Sequence, residues 1–294
     1  MSSIKQNEPL ANYCTYHIGG PAKVLFAARD IDEIIAGLEV ARENNFKFFV
    51  LGGGSNILFP DEGYPGLVLK IENNFIESKE ADKNMLIKVG AGTPLPILVS
   101  YALKNSLTGM EWAAGIPGTV GGAIRGNAGA FHADISEVVR RVAALEILPP
   151  TITKKVFEKS ECDFSYRESI FKHNKKLVII SAVLALKIGR AEKIEALMNE
   201  YLAKKTTSQP LDYPSAGSVF TNPQGFFAGK LIESCGFKGQ MIGDAQVSEK
   251  HANFIINRGN ATAQNVKVLI ARIKTAVKEK FNIDLREEIE IVEN

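Results

Sequence analysis

The segments LGGGSN at residues 51–56 and GIPGTVGGA at residues 115–123 decide the fold of this chain. The first follows a short apolar run at 47–51, which predicts a strand, and the second precedes NAGA at 127–130. Consecutive small residues allow close approaches of the backbone that a Cβ would block. They also let several N–H groups point at one anion. We therefore interpret the two segments as two halves of one cradle for the pyrophosphate of a dinucleotide.

Neither segment is a standard nucleotide fingerprint. The first lacks the GxGxxG spacing, and Pro60 disfavours the helix that a Rossmann fold requires there. The string GFFAGKL at 225–231 has one residue too few between its glycines and Leu231 in place of Ser or Thr, so it is not a P-loop. Taken alone, the first segment is explained as well by a tight turn as by phosphate binding.

The composition describes a globular chain with little net charge. Its 294 residues include 35 Lys+Arg and 33 Asp+Glu, giving a net charge of +2. Lysines occur as scattered pairs, unlike the concentrated basic stripe of a nucleic-acid-binding protein. The longest apolar run, 177–186, is well short of the roughly 18 residues that span a membrane. We therefore expect no nucleic acid and no membrane as partner.

The cysteines and histidines point to a protein without a metal. Cys14, Cys162 and Cys235 are far apart, and no Cys or His has metal-ligand spacing. Reduced cysteines are typical of the cytosol, and residues 1–10 lack the apolar stretch of a signal peptide. The sequence therefore predicts a cytoplasmic protein with no metal site.

Hydrophobic patterning predicts alternating strands and helices. Asp30, with Glu33 three residues on, has the spacing of a capping box. The turn-rich stretch 206–214 is the best candidate for a domain boundary. The predicted strands are 23–28, 47–51, 66–71, 85–89, 138–148, 177–188, 218–220, 253–257 and 287–292, and the predicted helices are 31–45, 94–104, 191–205, one from about 226, and 262–281.

The order of the short motifs is specific. LGGGSN, GIPGTVGGA and NAGA resemble the flavin-binding domain of UDP-N-acetylenolpyruvoylglucosamine reductases, also called UDP-N-acetylmuramate dehydrogenases or the MurB family, enzymes of bacterial cell-wall synthesis. The resemblance covers nearly the whole chain, in the family's order. It continues through Tyr166-Arg167-x-Ser169, PSAGSVF at 214–220, AGKLIE at 228–233 and AQVSEKHANF at 245–254.

The resemblance implies an α+β fold in two domains. We expect a two-subdomain FAD-binding domain of the vanillyl-alcohol-oxidase/PCMH-like type at 1–205, with subdomains at about 1–75 and 76–205. A smaller α+β substrate domain follows at 206–294. Arg167 and Ser218 are 51 positions apart, which leaves little room for the tyrosine-bearing insertion of longer members. The chain therefore resembles the shorter class, and we expect a monomer.

The resemblance also implies the reaction. NADPH reduces a non-covalently bound FAD, and flavin N5 then gives a hydride to the enolpyruvyl group of UDP-N-acetylglucosamine enolpyruvate, which becomes UDP-N-acetylmuramate. The added hydride leaves negative charge beside the substrate carboxylate, where one aimed donor is worth about 3–4 kcal/mol of barrier. The alternatives are another FAD oxidoreductase on the same scaffold and a non-catalytic nucleotide-binding protein.

The family's catalytic residues match three positions. Arg167 has a planar fork suited to a carboxylate that gains charge. Ser218, in the string AGSVF, matches the proton donor, and Glu288, in the C-terminal Leu-x-x-Glu motif, matches a glutamate that assists the intermediate. Glu288 must be protonated to donate a hydrogen bond, which requires a raised pKa. Glu287 and Glu290 stay open as alternatives.

Binding residues follow from the same motifs. Tyr166 and Asn222 are expected to contact the substrate, and Lys205, or alternatively Lys204, to reach a diphosphate as a point charge. Thr221 stands where many members have a basic residue, which bears on affinity and not on reaction type. The expected FAD contacts are Gly52, Gly53, Gly54, Ser55, Asn56, Gly115, Gly118, Thr119, Gly121 and Gly122.

Overall fold

A computed structural model describes residues 3–81 and 84–293 of the chain. The chain divides into two compact units, each made of three segments. Unit 1 comprises Met1–Ile4, Phe26–Gly53 and Val68–Lys205, and unit 2 comprises Lys5–Leu25, Gly54–Leu67 and Thr206–Asn294.

The described chain contains both strands and helices. The strands are β1 (Ser3–Pro9), β2 (Pro21–Ala28), β3 (Phe48–Leu51), β4 (Ile57–Leu58), β5 (Tyr64–Ile71), β6 (Ile76–Ala81), β7 (Asn84–Gly90), β8 (Leu107–Thr108), β9 (Gly129–Ala130), β10 (Ala133–Asp134), β11 (Val139–Leu148), β12 (Thr151–Glu158), β13 (Leu177–Ile188), β14 (Ser215–Ser218), β15 (Met241–Ile242), β16 (Ala245–Val247), β17 (Phe254–Asn257) and β18 (Glu290–Ile291). The helices are α1 (Ile31–Glu43), α2 (Leu95–Lys104), α3 (Val120–Arg125), α4 (Ile170–His173), α5 (Ala191–Ser208), α6 (Ala228–Ser234) and α7 (Ala263–Phe281). Strands β1, β2, β5 and β3 are neighbours in that order in a four-stranded sheet.

The main sheet of unit 1 has the order β12-β11-β13-β7-β6, with β8 also paired to β13. Its neighbouring strands run antiparallel. Strand β13 is central, and nearly all of its residues from Leu177 to Leu186 are buried. A continuous apolar run is typical of a strand that is covered on both faces. This position explains the longest apolar run of the sequence.

Unit 2 has a smaller antiparallel sheet in the order β14-β17-β16-β15, and helix α7 packs against β15 and β16. The side chain of Thr262 caps α7 by accepting from Asn265 N–H at 3.1 Å. The carboxylate of Asp61 also accepts from the first N–H groups of α7, at 2.7 Å from Ala263 and 3.0 Å from Gln264. Strands β18 and β4 pair in parallel.

The predicted α+β class is confirmed, and most predicted elements lie within a few residues of their expected positions. Helix α1 begins as expected, because Asp30 accepts from Glu33 N–H at 2.8 Å. The Glu33 carboxylate, however, accepts from Arg29 N–H at 2.8 Å, one residue before the capping-box position. Among the described residues, no helix has the length and apolar character needed to cross a membrane.

Several element predictions were wrong or incomplete. Helix α5 continues to Ser208, so the predicted turn at 206–214 begins later, and the boundary between units after Lys205 falls inside this helix. Strand β12 was missed because its exposed lysines hide the pattern of an edge strand. The strand expected at 218–220 lies at 215–218, and only two residues of 287–292 form a strand.

Candidate functional site

The two glycine segments approach each other within unit 1. A Cβ built on Gly53 would lie 2.5 Å from Gly118 Cα, and one built on Gly52 would lie 2.6 Å from Thr119 Oγ1. Backbone atoms cannot move aside as a flexible side chain does, so Gly53 is required by this close approach. Gly118 has φ +114°, a conformation that other residues rarely adopt. The loops are thus adjacent, as the interpretation of one shared cradle requires.

Part of the second glycine segment is a short helix that the sequence analysis missed. Thr119 is the N-cap of α3, and its hydroxyl accepts from Gly122 N–H at 3.4 Å. Gly121 donates to the carbonyl of Ala91 at 2.8 Å, and a Cβ on Gly121 would lie 2.9 Å from Ala91 Cβ. Close packing therefore accounts for Gly121, whereas a Cβ on Gly122 would meet Thr119 Oγ1 only at 3.6 Å.

The backbone of these loops offers hydrogen-bond donors to a ligand. Within residues 3–81 and 84–293, the N–H groups of Gly53 and Gly115 donate to no protein acceptor. Gly115 is exposed and has φ +71°. Several main-chain N–H groups in a small-residue loop bind an anionic group well. The residues present therefore fit the diphosphate of FAD.

The buried side chain of Lys205 contacts the main chain just before the second glycine segment. It is 5 % exposed, and its Nζ donates to the carbonyl of Ala114 at 2.6 Å and to that of Trp112 at 3.5 Å. Burial lowers the pKa of its ammonium to about 8. The same ammonium lies 5.7 Å from the ring centroid of Phe131. In this structure Lys205 is thus bonded to the loop that carries Gly115.

Lys70, on β5, has a corresponding position beside the first glycine segment. Its Nζ donates to the carbonyl of Gly52 at 2.9 Å. Desolvation lowers its pKa, against the opposing effect of Glu72. The sequence analysis missed Lys70. The sequence feature that could have indicated it is a lysine within the otherwise apolar run Leu67–Ile71.

The Tyr-Arg motif is held against the NAGA segment, also within unit 1. Arg167 Nη2 donates to the carbonyl of Gly129 at 2.7 Å, and its guanidinium carbon lies 5.1 Å from the ring centroid of Tyr166. Arg167 has φ +60°, a left-handed backbone conformation that is strained for a residue with a Cβ and that is frequent at functional sites. The side-chain amide of Asn127 donates to the carbonyl of Ser165 at 2.8 Å and so fixes the start of this loop.

Ser218 and Glu288 are neighbours in unit 2. The N–H of Glu288 donates to the carbonyl of Val219, the residue after Ser218, at 2.7 Å. Gly217 precedes the serine with φ +78°. Both Ser218 and Glu288 are half-buried. Main-chain pairing thus makes neighbours of two candidate catalytic residues that are 70 positions apart in sequence.

The neighbouring acidic residues are engaged differently. The carboxylate of Glu287 forms an ion pair with Lys274 at 2.7 Å. Glu290 belongs to β18, and its N–H donates to the carbonyl of Asn56 at 2.9 Å. The Asn56 side-chain amide donates to the carbonyl of Glu288 at 3.0 Å. The end of the LGGGSN string therefore supports the main chain from Glu288 to the start of β18.

Asn222 is also in unit 2, where its side-chain oxygen accepts from Ala228 N–H, at the start of α6, at 2.9 Å. Arg167, Tyr166 and Lys205 belong to unit 1. Among the described residues there is no group of three His, Cys, Asp or Glu side chains that could hold a metal ion.

The fold and the glycine loops define an FAD-binding flavoprotein. A family model described as an FAD binding domain matches residues 22–151. A second, described as "UDP-N-acetylenolpyruvoylglucosamine reductase, C-terminal domain", matches residues 209–292. The chain belongs to the UDP-N-acetylenolpyruvoylglucosamine reductase (MurB) family, and is an FAD-dependent oxidoreductase.

Similar proteins cover nearly the whole chain. The reductase of this name from Clostridium novyi is 40% identical over 289 residues, 98% of this chain and 92% of that protein. The one from Caldanaerobacter subterraneus is 43% identical over 286 residues, 97% of this chain and 92% of that protein. The crystal structure of the MurB reductase from Thermus caldophilus has a TM-score of 0.80 at 32% identity, covering 100% of this chain and 99% of that one. The predicted family, FAD and α+β FAD-binding fold are confirmed.

Proposed function

We propose that this enzyme reduces UDP-N-acetylglucosamine enolpyruvate to UDP-N-acetylmuramate with NADPH, in the synthesis of peptidoglycan precursors. The structural observation that carries the proposal is the pairing of Glu288 N–H with the carbonyl beside Ser218 at 2.7 Å. It brings together the main chain of two residues that carry a hydroxyl and a carboxyl group, the two kinds of group needed to protonate a carbanion and to stabilise its charge. The printed names of the relatives supply the class of substrate.

The cofactor site in this proposal consists of the two glycine loops. Bound FAD supplies the redox chemistry, accepting a hydride from NADPH and giving one to the enolpyruvyl group. The N–H groups of Gly53 and Gly115 bind its diphosphate, and the close approach of Gly53 to Gly118 keeps the two loops together. Ser55, Asn56 and the remaining glycines of the two segments stay as predicted contacts.

Arg167 binds the substrate carboxylate in this proposal. Its planar guanidinium can donate two parallel hydrogen bonds to a carboxylate whose charge grows as the distal carbon accepts the hydride. Its hydrogen bond to the carbonyl of Gly129 and its left-handed backbone hold it in one orientation. A donor fixed in advance needs no reorganisation during the reaction, so it stabilises the transition state effectively.

Ser218 donates the proton and Glu288 assists. A serine hydroxyl is a weak acid, but the carbanion-like intermediate is a strong base and takes a proton from it. Glu288, bonded through its main chain to Val219, supports the developing charge in its protonated form. The ion pair of Glu287 with Lys274 favours Glu288 over Glu287 for this role.

The remaining assignments belong to the same proposal. Tyr166, which is 53% exposed, and Asn222 contact the UDP-sugar, as does Lys205 if it leaves its carbonyl partners. Three free cysteines support a cytoplasmic location. The protein acts as a monomer in this proposal. The domains at 1–205 and 206–294, and the subdomains divided near residue 75, also remain proposals.

Replacing Ser218 tests the proposed chemistry. In Ser218→Ala we expect substrate turnover to fall about 100- to 10,000-fold, the usual contribution of an acid catalyst. Reduction of the flavin by NADPH, followed by stopped-flow absorbance, should stay at the wild-type rate. Ser218→Cys should recover part of the turnover, and Ser234→Ala, an exposed serine on α6, is the matched control. Wild-type turnover in Ser218→Ala would refute the proton-donor role.

A further inference from the structure

A lysine holds the carbonyl that precedes the N–H of Gly53. Lys70 Nζ donates to the carbonyl of Gly52 at 2.9 Å, and this carbonyl and the N–H of Gly53 belong to one peptide group. A trans peptide is planar, so its C=O and N–H point in opposite directions. The bond to Lys70 therefore directs the N–H of Gly53 away from the lysine.

The second loop has the same arrangement. Lys205 Nζ donates to the carbonyl of Ala114 at 2.6 Å, so the N–H of Gly115 points away from Lys205. Leu202, one turn earlier on α5, also packs against Gly115. A Cβ built on Gly115 would lie 2.8 Å from Leu202 Cδ2. The last turns of α5 thus determine both the position and the direction of the Gly115 peptide.

The surroundings of both ammonium groups are short of negative charge in the part of the chain that the structure describes. Within the described part of the chain, neither Lys70 nor Lys205 forms an ion pair with an acidic side chain. Glu72, whose charge acts on Lys70, is itself 4.0 Å from the guanidinium of Arg29. Removing a charge from water is unfavourable unless an opposite charge offsets it. An anion bound at the glycine loops would supply that opposite charge.

We propose that Lys70 and Lys205 are positioning residues for the FAD diphosphate, one for each glycine loop. Each fixes the direction of one loop N–H and adds unneutralised positive charge on the far side of the loop. The inference rests on the proposed role of these loops as the diphosphate site. It gives Lys205 a function on the cofactor that is separate from contact with the substrate.

The test compares two ligands that share the isoalloxazine ring but differ in the diphosphate. FAD is removed from the purified protein, and the dissociation constants of FAD and of riboflavin are measured by quenching of flavin fluorescence. In Lys70→Met and Lys205→Met we expect FAD to bind about 10- to 100-fold more weakly, as for lost charge-assisted hydrogen bonds, and riboflavin to change less than about threefold. Lys70→Arg should recover most of the affinity for FAD.

Matched controls are available in the same unit. Lys47→Met and Lys193→Met remove exposed lysines, one just before β3 and one on α5, with the same change of charge. Both should bind FAD as the wild type does. In the wild type, added salt should weaken FAD binding more steeply than it does in Lys70→Met or Lys205→Met, because the charge in question has been removed from the variants.

Each outcome decides a different point. Wild-type FAD affinity in both methionine variants would overturn the positioning role while leaving the proposed function intact. An equal loss of FAD and riboflavin binding would also overturn it, since the effect would then not act through the diphosphate. Failure of the wild-type protein to bind FAD would refute the proposed function itself. A raised KM for the UDP-sugar with unchanged FAD affinity in Lys205→Met would show that Lys205 binds the substrate and does not position the FAD site.

Discussion

Lys205 shows how the surroundings of one residue determine its chemistry. Its ammonium is buried and bonded to two carbonyl groups, and burial lowers its pKa from 10.5 to about 8. While protonated it carries a charge that is poorly solvated, so it opposes folding. The folded protein therefore releases this proton at a lower pH than the unfolded chain does.

A pH-dependent stability difference follows from Lys205. Between pH 8 and 10.5 the unfolded chain binds more protons at this site, so the free energy of unfolding rises with pH. Relative to Lys205→Met, the wild type should gain at most about 3 kcal/mol of stability across this window. Urea unfolding of both FAD-free proteins at several pH values measures it. If the free energy of unfolding of the wild type relative to Lys205→Met stayed constant or fell between pH 8 and 10.5, burial of a charged Lys205 would be contradicted.

At the same scale, sequence reasoning found residues that belong to motifs and missed one that does not. Arg167, Ser218 and Glu288 were selected because each stands in a recognisable string. Lys70 stands in none, and its bond to the carbonyl of Gly52 depends on the folded neighbourhood of β5. The apolar residues around Lys70 show that a lysine is unusual there, but they do not predict that Gly52 accepts its hydrogen bond.

Among the elements, the glycine loops tolerate little change where they approach each other. A Cβ at Gly53 would lie 2.5 Å from Gly118 Cα, so Gly53→Ala must separate the two loops. We expect FAD affinity to fall at least about tenfold, equivalent to 1.4 kcal/mol. Gly126→Ala is the control, since its Cβ would meet only the Gly122 carbonyl at 3.7 Å. Equal FAD affinity of Gly53→Ala and wild type, by fluorescence titration, would show that loop contact is not needed.

The start of helix α7 depends on a distant carboxylate. Asp61 accepts from the N–H groups of Ala263 and Gln264, which have no partner inside the helix. Asp61→Ala should destabilise the protein by about 1 kcal/mol, the usual effect of losing an N-terminal cap. Thermal unfolding beside Asp212→Ala, an exposed control, measures the effect. Equal melting temperatures of the two variants would show that Asp61 does not stabilise the start of α7.

The elements predicted best are those with strong local signals. The capping residue Asp30 located the start of α1, and the apolar run of β13 was seen as a strand. Strand β12, which pairs with β11, was missed because its exposed lysines hide the alternation of an edge strand. Helix α5 extends past Lys205 because Thr206, Thr207 and Ser208 complete its last turn, although their composition indicated a turn.

At the scale of the whole molecule, the order of motifs was more informative than any domain boundary. The strings from LGGGSN at 51–56 to the Glu288 motif identified the family, which the relatives confirm. The compact units, by contrast, group Lys5–Leu25 and Gly54–Leu67 with Thr206–Asn294. Such grouping depends on contacts between segments that are distant in sequence, and no local pattern specifies them.

The visible absorption spectrum of the purified protein tests the central claim most directly. We predict a yellow protein, or one that becomes yellow on addition of FAD, whose flavin band is bleached by NADPH without oxygen. Adding UDP-N-acetylglucosamine enolpyruvate should then restore the band, with one UDP-N-acetylmuramate formed for each flavin reoxidised. A colourless protein that takes up no FAD, or a reduced flavin that the enolpyruvyl substrate does not reoxidise, would contradict the account.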